Sequence, residues 1–186
     1  SILGDPRSKI MQSQMNLKIK YRESFRPFAP IVIREEAFNW FNFEKFKITK
    51  SFDSPYMLLV GNVNSFTNND SKNDCEGFKK LKRIKSKIPA VTHINGSARI
   101  QTVDKKSNQK LYNLLKEFKR ISGCPILINT SFNVRGEPIV ESPEDAYRCF
   151  MRTDMDYLVL GNYILEKKLQ PEFVEHTNWR EEFKLD

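Results

Sequence analysis

Two stretches of the sequence concentrate side chains that bind anions. Asn129-Thr130-Ser131-Phe132-Asn133-Val134-Arg135-Gly136-Glu137-Pro138 gathers hydroxyls, amides, a guanidinium and a carboxylate in one segment. Far upstream, Lys18, Lys20, Arg22 and Arg26 stand beside Phe25-Arg26-Pro27-Phe28-Ala29-Pro30, where rings and prolines restrict the directions a guanidinium can take. Cations held in that way suit phosphate or carboxylate, because charge-assisted and bidentate hydrogen bonds reward fixed geometry. Each stretch also has a purely structural reading: such loop residues close Asx and Ser/Thr turns, and cations at a helix C-terminus complement its dipole. His93 and Arg99 form a third candidate pair, flanking Asn95-Gly96. An imidazole beside a fixed cation could bind an anion, although a lone histidine on a strand is as often a hydrogen-bonded core residue.

These residues need elements to hold them. Ile10, Met11, Met15, Leu17 and Ile19 recur at roughly helical spacing, so Ser8 to Lys20 reads as a helix ending before Phe25-Arg26-Pro27. Ala29 to Ile33 reads as extended, Glu35 to Phe41 as a short helix with Phe38 and Phe41 on one face, and Tyr56 to Val60 as a buried strand. Asn95-Gly96, the strongest short hairpin signal, lies between strand-like Ala90 to Ile94 and Ala98 to Val103. Leu111, Leu114, Leu115, Phe118 and Ile121 mark a helix face, begun near Ser107 or Asn108 and stopped by Gly123. The strand Pro125 to Ile128 follows, and strand, helix, strand in about 30 residues implies a βαβ unit with parallel strands. The Asn129 to Pro138 loop would then sit at the carboxyl end of a parallel strand, where open α/β sheets bind ligands. Ser142-Pro143-Glu144-Asp145 opens another helix ending near Thr153, and Tyr157 to Leu165 closes the pattern as a hairpin turning at Gly161-Asn162. The class is α/β or α+β, with a twisted mixed parallel and antiparallel sheet and flanking helices.

With 186 residues, one domain with its own core is the default. The 31 Lys+Arg against 23 Asp+Glu, a formal charge of +8, favour an anionic partner: nucleic acid, phosphate or nucleotide. No apolar run approaches the ~20 residues of a membrane span, and the start lacks the pattern of a secretory signal, so the chain reads as cytoplasmic. Cys75, Cys124 and Cys149 are odd in number and form no CxxC pair, which argues against a disulfide framework or structural zinc, and no metal ligand set is assigned. Residues 1–186 read as one domain with a variable basic insertion at about 62–87, including the solvated Lys79 to Lys87 run.

Lys20-Tyr21-Arg22 followed by Ser131-Phe132-Asn133 resembles the KxR…SxN signature of YrdC-like domains, which bind ATP and make carbamoyl adenylates. Lys20 to Pro30, Ser54-Pro55-Tyr56-Met57, Pro89-Ala90-Val91-Thr92-His93, and Asn129 to Asn133 with Gly136-Glu137-Pro138 together resemble the C-terminal region of NodU/CmcH-type carbamoyltransferases. The likeness covers about Ile2 to Lys167 and leaves out the insertion; Asn95 and Ser97 stand where that family more often has Asp and Thr. It implies a YrdC-like module that forms carbamoyl adenylate from carbamoyl phosphate and ATP with Mg2+. It also implies a separate N-terminal transferase domain, absent from this chain and carrying iron, that passes the carbamoyl group to an acceptor hydroxyl. Lys20, Arg22, Arg26, Arg99 and His93 would then act on the reacting groups; Lys20, Arg22, Arg26, Thr130, Ser131, Asn133 and Arg135 would bind ATP or carbamoyl phosphate. Glu137 would orient Arg135 or bind metal. The competing readings are an RNA-binding YrdC-like module and a threonylcarbamoyl adenylate synthase.

Hairpin register decides whether His93 and Arg99 act together. A two-residue loop at Asn95-Gly96 pairs Ile94 with Ser97 and separates the two side chains onto opposite faces. A three-residue loop, Asn95-Gly96-Ser97, pairs His93 with Arg99 on one face, and that functional register is the one adopted here.

Overall fold

The computed structural model describes residues 1–44, 53–67, 86–175 and 179. Its elements run β1 (Ile2–Gly4), α1 (Met11–Lys18), β2 (Ala29–Ile33), α2 (Ala37–Trp40), β3 (Phe41–Asn42), β4 (Leu59–Val63), β5 (Ser97–Val103), α3 (Gln109–Ser122), β6 (Ile126–Thr130), α4 (Pro143–Arg152), β7 (Tyr157–Leu160) and β8 (Tyr163–Glu166). No helix among the described residues is long and apolar enough to cross a membrane. The class is mixed α/β. The chain forms two compact units: one from Ile2–Gln12 and Pro27–Thr130, the other from Ser1, Ser13–Arg26 and Ser131–Asp186.

The first unit carries a six-stranded sheet in the order β1-β6-β2-β5-β4-β3. β2 runs parallel to β5 and antiparallel to β6, with Ile31 opposite both Gln101 and Leu127. Pro30 lies one residue before the β5 pairing begins, so its missing N–H removes no bond on that side. Ile31, Ile33, Val103 and Leu127 form one buried cluster with Leu115 of α3, joined by Leu111 and Phe118. Val32, Ile100, Ile126 and Ile128 at the alternate positions are buried as well. β2 and β6 are therefore largely apolar on both faces, which is why they read as continuous hydrophobic runs, whereas β5 carries Arg99 exposed and Gln101 half-buried. Asn108 caps α3 by accepting from Leu111 N at 3.1 Å, and Gly123 ends it at φ 73°.

Five expectations are corrected in this unit. β5 and β6 flank β2 and run in opposite directions, so β5-α3-β6 is no parallel βαβ unit, and the loop after β6 leaves beside the start of β2 rather than at a shared carboxyl end. Of the α3 face, Leu114 and Ile121 are exposed. Residues Pro89–Val91 form a 3-10 turn, closed by Thr92 Oγ1 donating to Ile88 O at 2.8 Å; the proline at its start has no donor for a strand ladder. The Tyr56 strand begins at Leu59: Ser54 is tied to β5 through Thr102 and Ile100, Met57 reverses the chain at φ 56°, and Tyr56 and Leu58 are each 79% exposed. The short helix after β2 is a 3-10 turn, Arg34–Glu36, leading into α2, and Phe41 is already extended. The insertion at 62–87 lies outside the described residues from 68 to 85, as do Cys75 and most of the lysine run.

In the second unit Ser142 caps α4 in a capping box with Asp145, behind Pro143 in the first turn. β7 and β8 pair with Leu160 opposite Tyr163, as the Gly161-Asn162 turn implies. α1 is shorter than its apolar spacing suggests; Met15 and Ile19 are buried while Ile10 and Leu17 are exposed.

Gly96 and Gly123 give a controlled comparison. Both have positive φ, but a Cβ at Gly96 would run into the Phe66 ring whereas one at Gly123 meets nothing. Gly123→Ala should cost about 1 kcal/mol and Gly96→Ala about 2–4 kcal/mol, backbone strain alone against strain plus overpacking. Urea unfolding measures both, and equal losses would contradict the close approach.

Candidate functional site

The second unit brings residues of the two candidate stretches together through Lys20. After α1, Lys20 N bonds to Met15 O at 2.9 Å, and Tyr21 takes a left-handed φ of 49°, strained for a residue with a side chain. The Tyr21 hydroxyl donates to Arg152 O at 2.7 Å, which anchors the reversal. Lys20 points inward and is only 4% exposed. Its Nζ lies 2.6 Å from Ser131 O, 3.2 Å from Ser131 Oγ, 2.8 Å from Asn133 O and 2.8 Å from Asn133 Oδ1. An ammonium has three N–H groups; four acceptors share them. Lys20 is thus engaged by the loop itself. Burial lowers its pKa to about 8, helped by the Arg22 charge, so the ammonium form still predominates at pH 7.

The loop continues this chain of bonds. Ser131 Oγ donates to Asn133 Oδ1 at 2.6 Å, and Asn133 Nδ2 donates to Glu137 O at 2.8 Å. Glu137 pairs with Arg152 at 2.9 Å, while Arg135 pairs with Glu23 at 3.5 Å, so Glu137 does not orient Arg135. Arg152 can reach Glu137 because α4 presents it, 8% exposed, toward both Glu137 and Glu175.

Among the described residues, three guanidinium groups gather around the Glu23 carboxylate beside this loop. Arg26 Nε lies 3.0 Å from Glu23 and Arg135 NH1 3.5 Å from it. Burial, then the charges of Arg26 and Arg135, lowers the Arg22 pKa, with Glu23 opposing them. Such a cluster carries excess positive charge and attracts anions. Asn16, a residue the sequence reading passed over, shapes it. It is fully buried in α1, receives Arg22 Nε on its Oδ1 at 2.6 Å, and donates from Nδ2 to Ser24 O at 3.1 Å and Arg26 O at 2.8 Å. An asparagine next to Met15 inside a helical apolar pattern was the available signal.

Arg99, His93 and Thr130 belong to the first unit. Neither hairpin register holds: Arg99 pairs with Val60 of β4, and 94–96 form a turn in which Gly96 N donates to His93 O at 2.9 Å and His93 N to Ser97 O at 2.8 Å. The tight bonding of Ser97 to Asn95 Oδ1, from both N and Oγ, closes the turn before a strand ladder can form. Even so, His93 lies within the influence of Arg99. Burial first, and then that charge, lowers the His93 pKa, so the imidazole is neutral at pH 7 while bonded to Ser97 Oγ at 2.9 Å. Arg99 is exposed on β5, and Thr130 ends β6 opposite Ile2. Asn129, at the start of the candidate stretch, donates to Gln101 Oε1 at 2.6 Å, and Gln101 Nε2 donates to Pro55 O at 2.8 Å. The buried Asn129 Oδ1 has no hydrogen-bond partner among the described residues.

Cys124 and Cys149 are buried with thiols pushed up to about 11 by burial, so neither is a thiolate at neutral pH. Among the described residues no three His, Cys, Asp or Glu side chains gather as a metal site.

The family model described as carbamoyltransferase C-terminus matches residues 1–167. The uncharacterized protein sll1178 of Synechocystis sp. is 51% identical over 189 residues, spanning all of this chain and 30% of that protein. Nodulation protein NolNO of Sinorhizobium fredii is 38% identical over 168 residues, 90% of this chain and 22% of its own length. Nodulation protein U of Rhizobium tropici is 34% identical over 149 residues, 80% of this chain and 21% of its own length. The chain spans less than a third of each of these relatives.

Asn16→Ala should destabilise the chain by about 1–3 kcal/mol, because it takes the partner from two part-buried carbonyls and a guanidinium N–H; a loss below about 0.5 kcal/mol in urea unfolding would refute its bracing role. Lys20 supplies a second check. Its folded pKa of about 8 lies below the ordinary value of 10.5, so the folded chain binds fewer protons between the two. Its contribution to stability therefore rises with pH across that window and is lost as pH falls through 8. Removing the titration in Lys20→Met should flatten the rise in urea midpoint over that range, and an unchanged slope would contradict the buried ammonium.

Proposed function

Because this chain belongs to the carbamoyltransferase C-terminus family, we propose that it is the activating part of an O-carbamoyltransferase, forming carbamoyl adenylate from carbamoyl phosphate and ATP. A separate transferase domain would then deliver the carbamoyl group to an acceptor hydroxyl. The observation that carries this reading is the Lys20 ammonium binding the Ser131 and Asn133 loop beside Arg22, Arg26 and Arg135.

Water bonds to the phosphorus of carbamoyl phosphate as the bond from that phosphorus to the carbamoyl oxygen breaks; carbamate leaves with the electron pair, and water's proton passes to the phosphate released. A carbamate oxygen then bonds to the α-phosphorus of ATP, the bond from that phosphorus to its bridging oxygen breaks, and the electron pair departs on pyrophosphate. Both reactants are anions, so the protein must position them and offset phosphoryl charge; it needs neither a nucleophile nor a general base of its own. Arg22, Arg26 and Arg135 supply the cations, already directed by Asn16 and Glu23. Lys20 acts chiefly on shape, holding Ser131 and Asn133 in place; a phosphate would take the second N–H of Asn133 Nδ2 or turn the Ser131 hydroxyl away from Asn133 Oδ1. Magnesium would travel on the triphosphate oxygens. Taken by itself, the first unit has Arg99, with neutral His93 within its influence, as a cation for an anionic group, and Thr130 as a hydroxyl.

Calorimetry at millimolar ATP and moderate salt tests this. The folded chain should bind ATP, and Arg22→Ala should weaken binding by about 1.5–3 kcal/mol, the worth of a charge-assisted contact to phosphate. Exchange of labelled pyrophosphate into ATP should require carbamoyl phosphate. No heat from the folded parent, or an unchanged affinity in the variant, would overturn the assignment.

A further inference from the structure

The family match ends at Lys167, yet the residues beyond it reach back to the loop that Lys20 holds. The tail lies along α4: Tyr147 donates to Gln170 at 3.4 Å, and the Phe173 ring meets the edge of Tyr147 with centroids 6.4 Å apart. Glu175 then receives Arg152 on both carboxylate oxygens, with Nε at 2.8 and 3.0 Å. The Trp179 ring covers the same guanidinium at 5.1 Å from its centroid and meets Tyr21 edge-on at 5.3 Å.

Arg152 is the link inward. Its other side bonds Glu137, whose backbone oxygen holds Asn133 Nδ2, and Asn133 in turn meets Lys20 and Ser131. A guanidinium stripped of most of its water is costly unless carboxylates complete its hydrogen bonds. Losing Glu175 takes one carboxylate from Arg152, and losing Trp179 lets water onto the guanidinium; either change weakens the tie through Glu137 that holds the far side of the loop. Trp179 also rests on Tyr21, the strained residue that turns Lys20 inward, so the tail grips both ends of the same bond network.

We infer that Glu175 and Trp179 are positioning residues for the Ser131 to Asn133 loop, acting through Arg152, Glu137 and Tyr21 from a tail that lies beyond the region matched to the family. The consequence for ATP rests on the function proposed above; the consequence for the loop does not.

The experiment follows Lys20 itself. The 186-residue chain and its variants are acylated with an N-hydroxysuccinimide ester at pH 8, and modification of Lys20 is compared with that of Lys110 by peptide mass spectrometry. Glu175→Gln and Trp179→Ala should each raise Lys20 labelling relative to Lys110 by about threefold or more, as local opening exposes the amine. Trp179→Phe, which keeps a ring over the guanidinium, should stay near the parent. An unchanged ratio in both disruptive variants overturns the inference, as does a rise shared by all lysines, which would mark general unfolding. ATP calorimetry on the same variants separates the two readings: if the parent binds no ATP the proposed function fails, while the labelling ratio still decides whether the tail holds the loop.

Discussion

An ammonium group taken out of water has to find acceptors in fixed places, and the second unit is arranged around meeting that need for Lys20. The demand explains the left-handed Tyr21, which reverses the chain after α1, and the tight course of the loop from Ser131 to Glu137, which bends two carbonyls and two side-chain oxygens onto one nitrogen. Burial draws the pKa down to about 8 while the ring of acceptors favours the charged form. The outcome is a charge held just on the ionised side at neutral pH. That balance makes Lys20 a better organiser than a ligand, because its donors are already engaged.

The surrounding cations follow a different logic. Arg22, Arg26 and Arg135 are attached at their edges by Asn16 and Glu23, which fix direction without cancelling the charge. Among the described residues one carboxylate stands among three guanidinium groups, an excess of positive charge of the kind that attracts anions. Directed cations of this kind stabilise developing phosphoryl charge without reorganising during the reaction. The polar order is thus double: an inner ammonium that shapes the loop, and outer guanidinium groups held in direction by Asn16 and Glu23.

Much of the architecture was legible because local chemistry agreed with tertiary structure. The Asn108 cap and Gly123 stop of α3, the Ser142 capping box and the Gly161-Asn162 hairpin all depend on a few neighbouring residues. Strand direction was not legible, since a crossover of the same length can join parallel strands or, as between β5 and β6, antiparallel strands on either side of a third. Asn95-Gly96 misled for a related reason: a turn signal states that the chain reverses, not that strands flank it, and Pro89 had already removed a donor from one side. In the site, residue types pointed to Lys20, Ser131 and Asn133, but not to the inward direction of Lys20 nor to Arg152, which depends on partners 15 and 23 residues away. Asn16 was hidden by its place in a helix, where an asparagine ordinarily faces water.

The most direct measurement is an experimental structure of the chain with a non-hydrolysable ATP analogue. The account predicts phosphate oxygens within hydrogen-bond distance of Arg22 and of at least one of Arg26 and Arg135, with Lys20 Nζ still bound to the Ser131 and Asn133 carbonyls. A triphosphate seated away from these arginines, or a Lys20 side chain swung out of the loop to hold phosphate by itself, would contradict it.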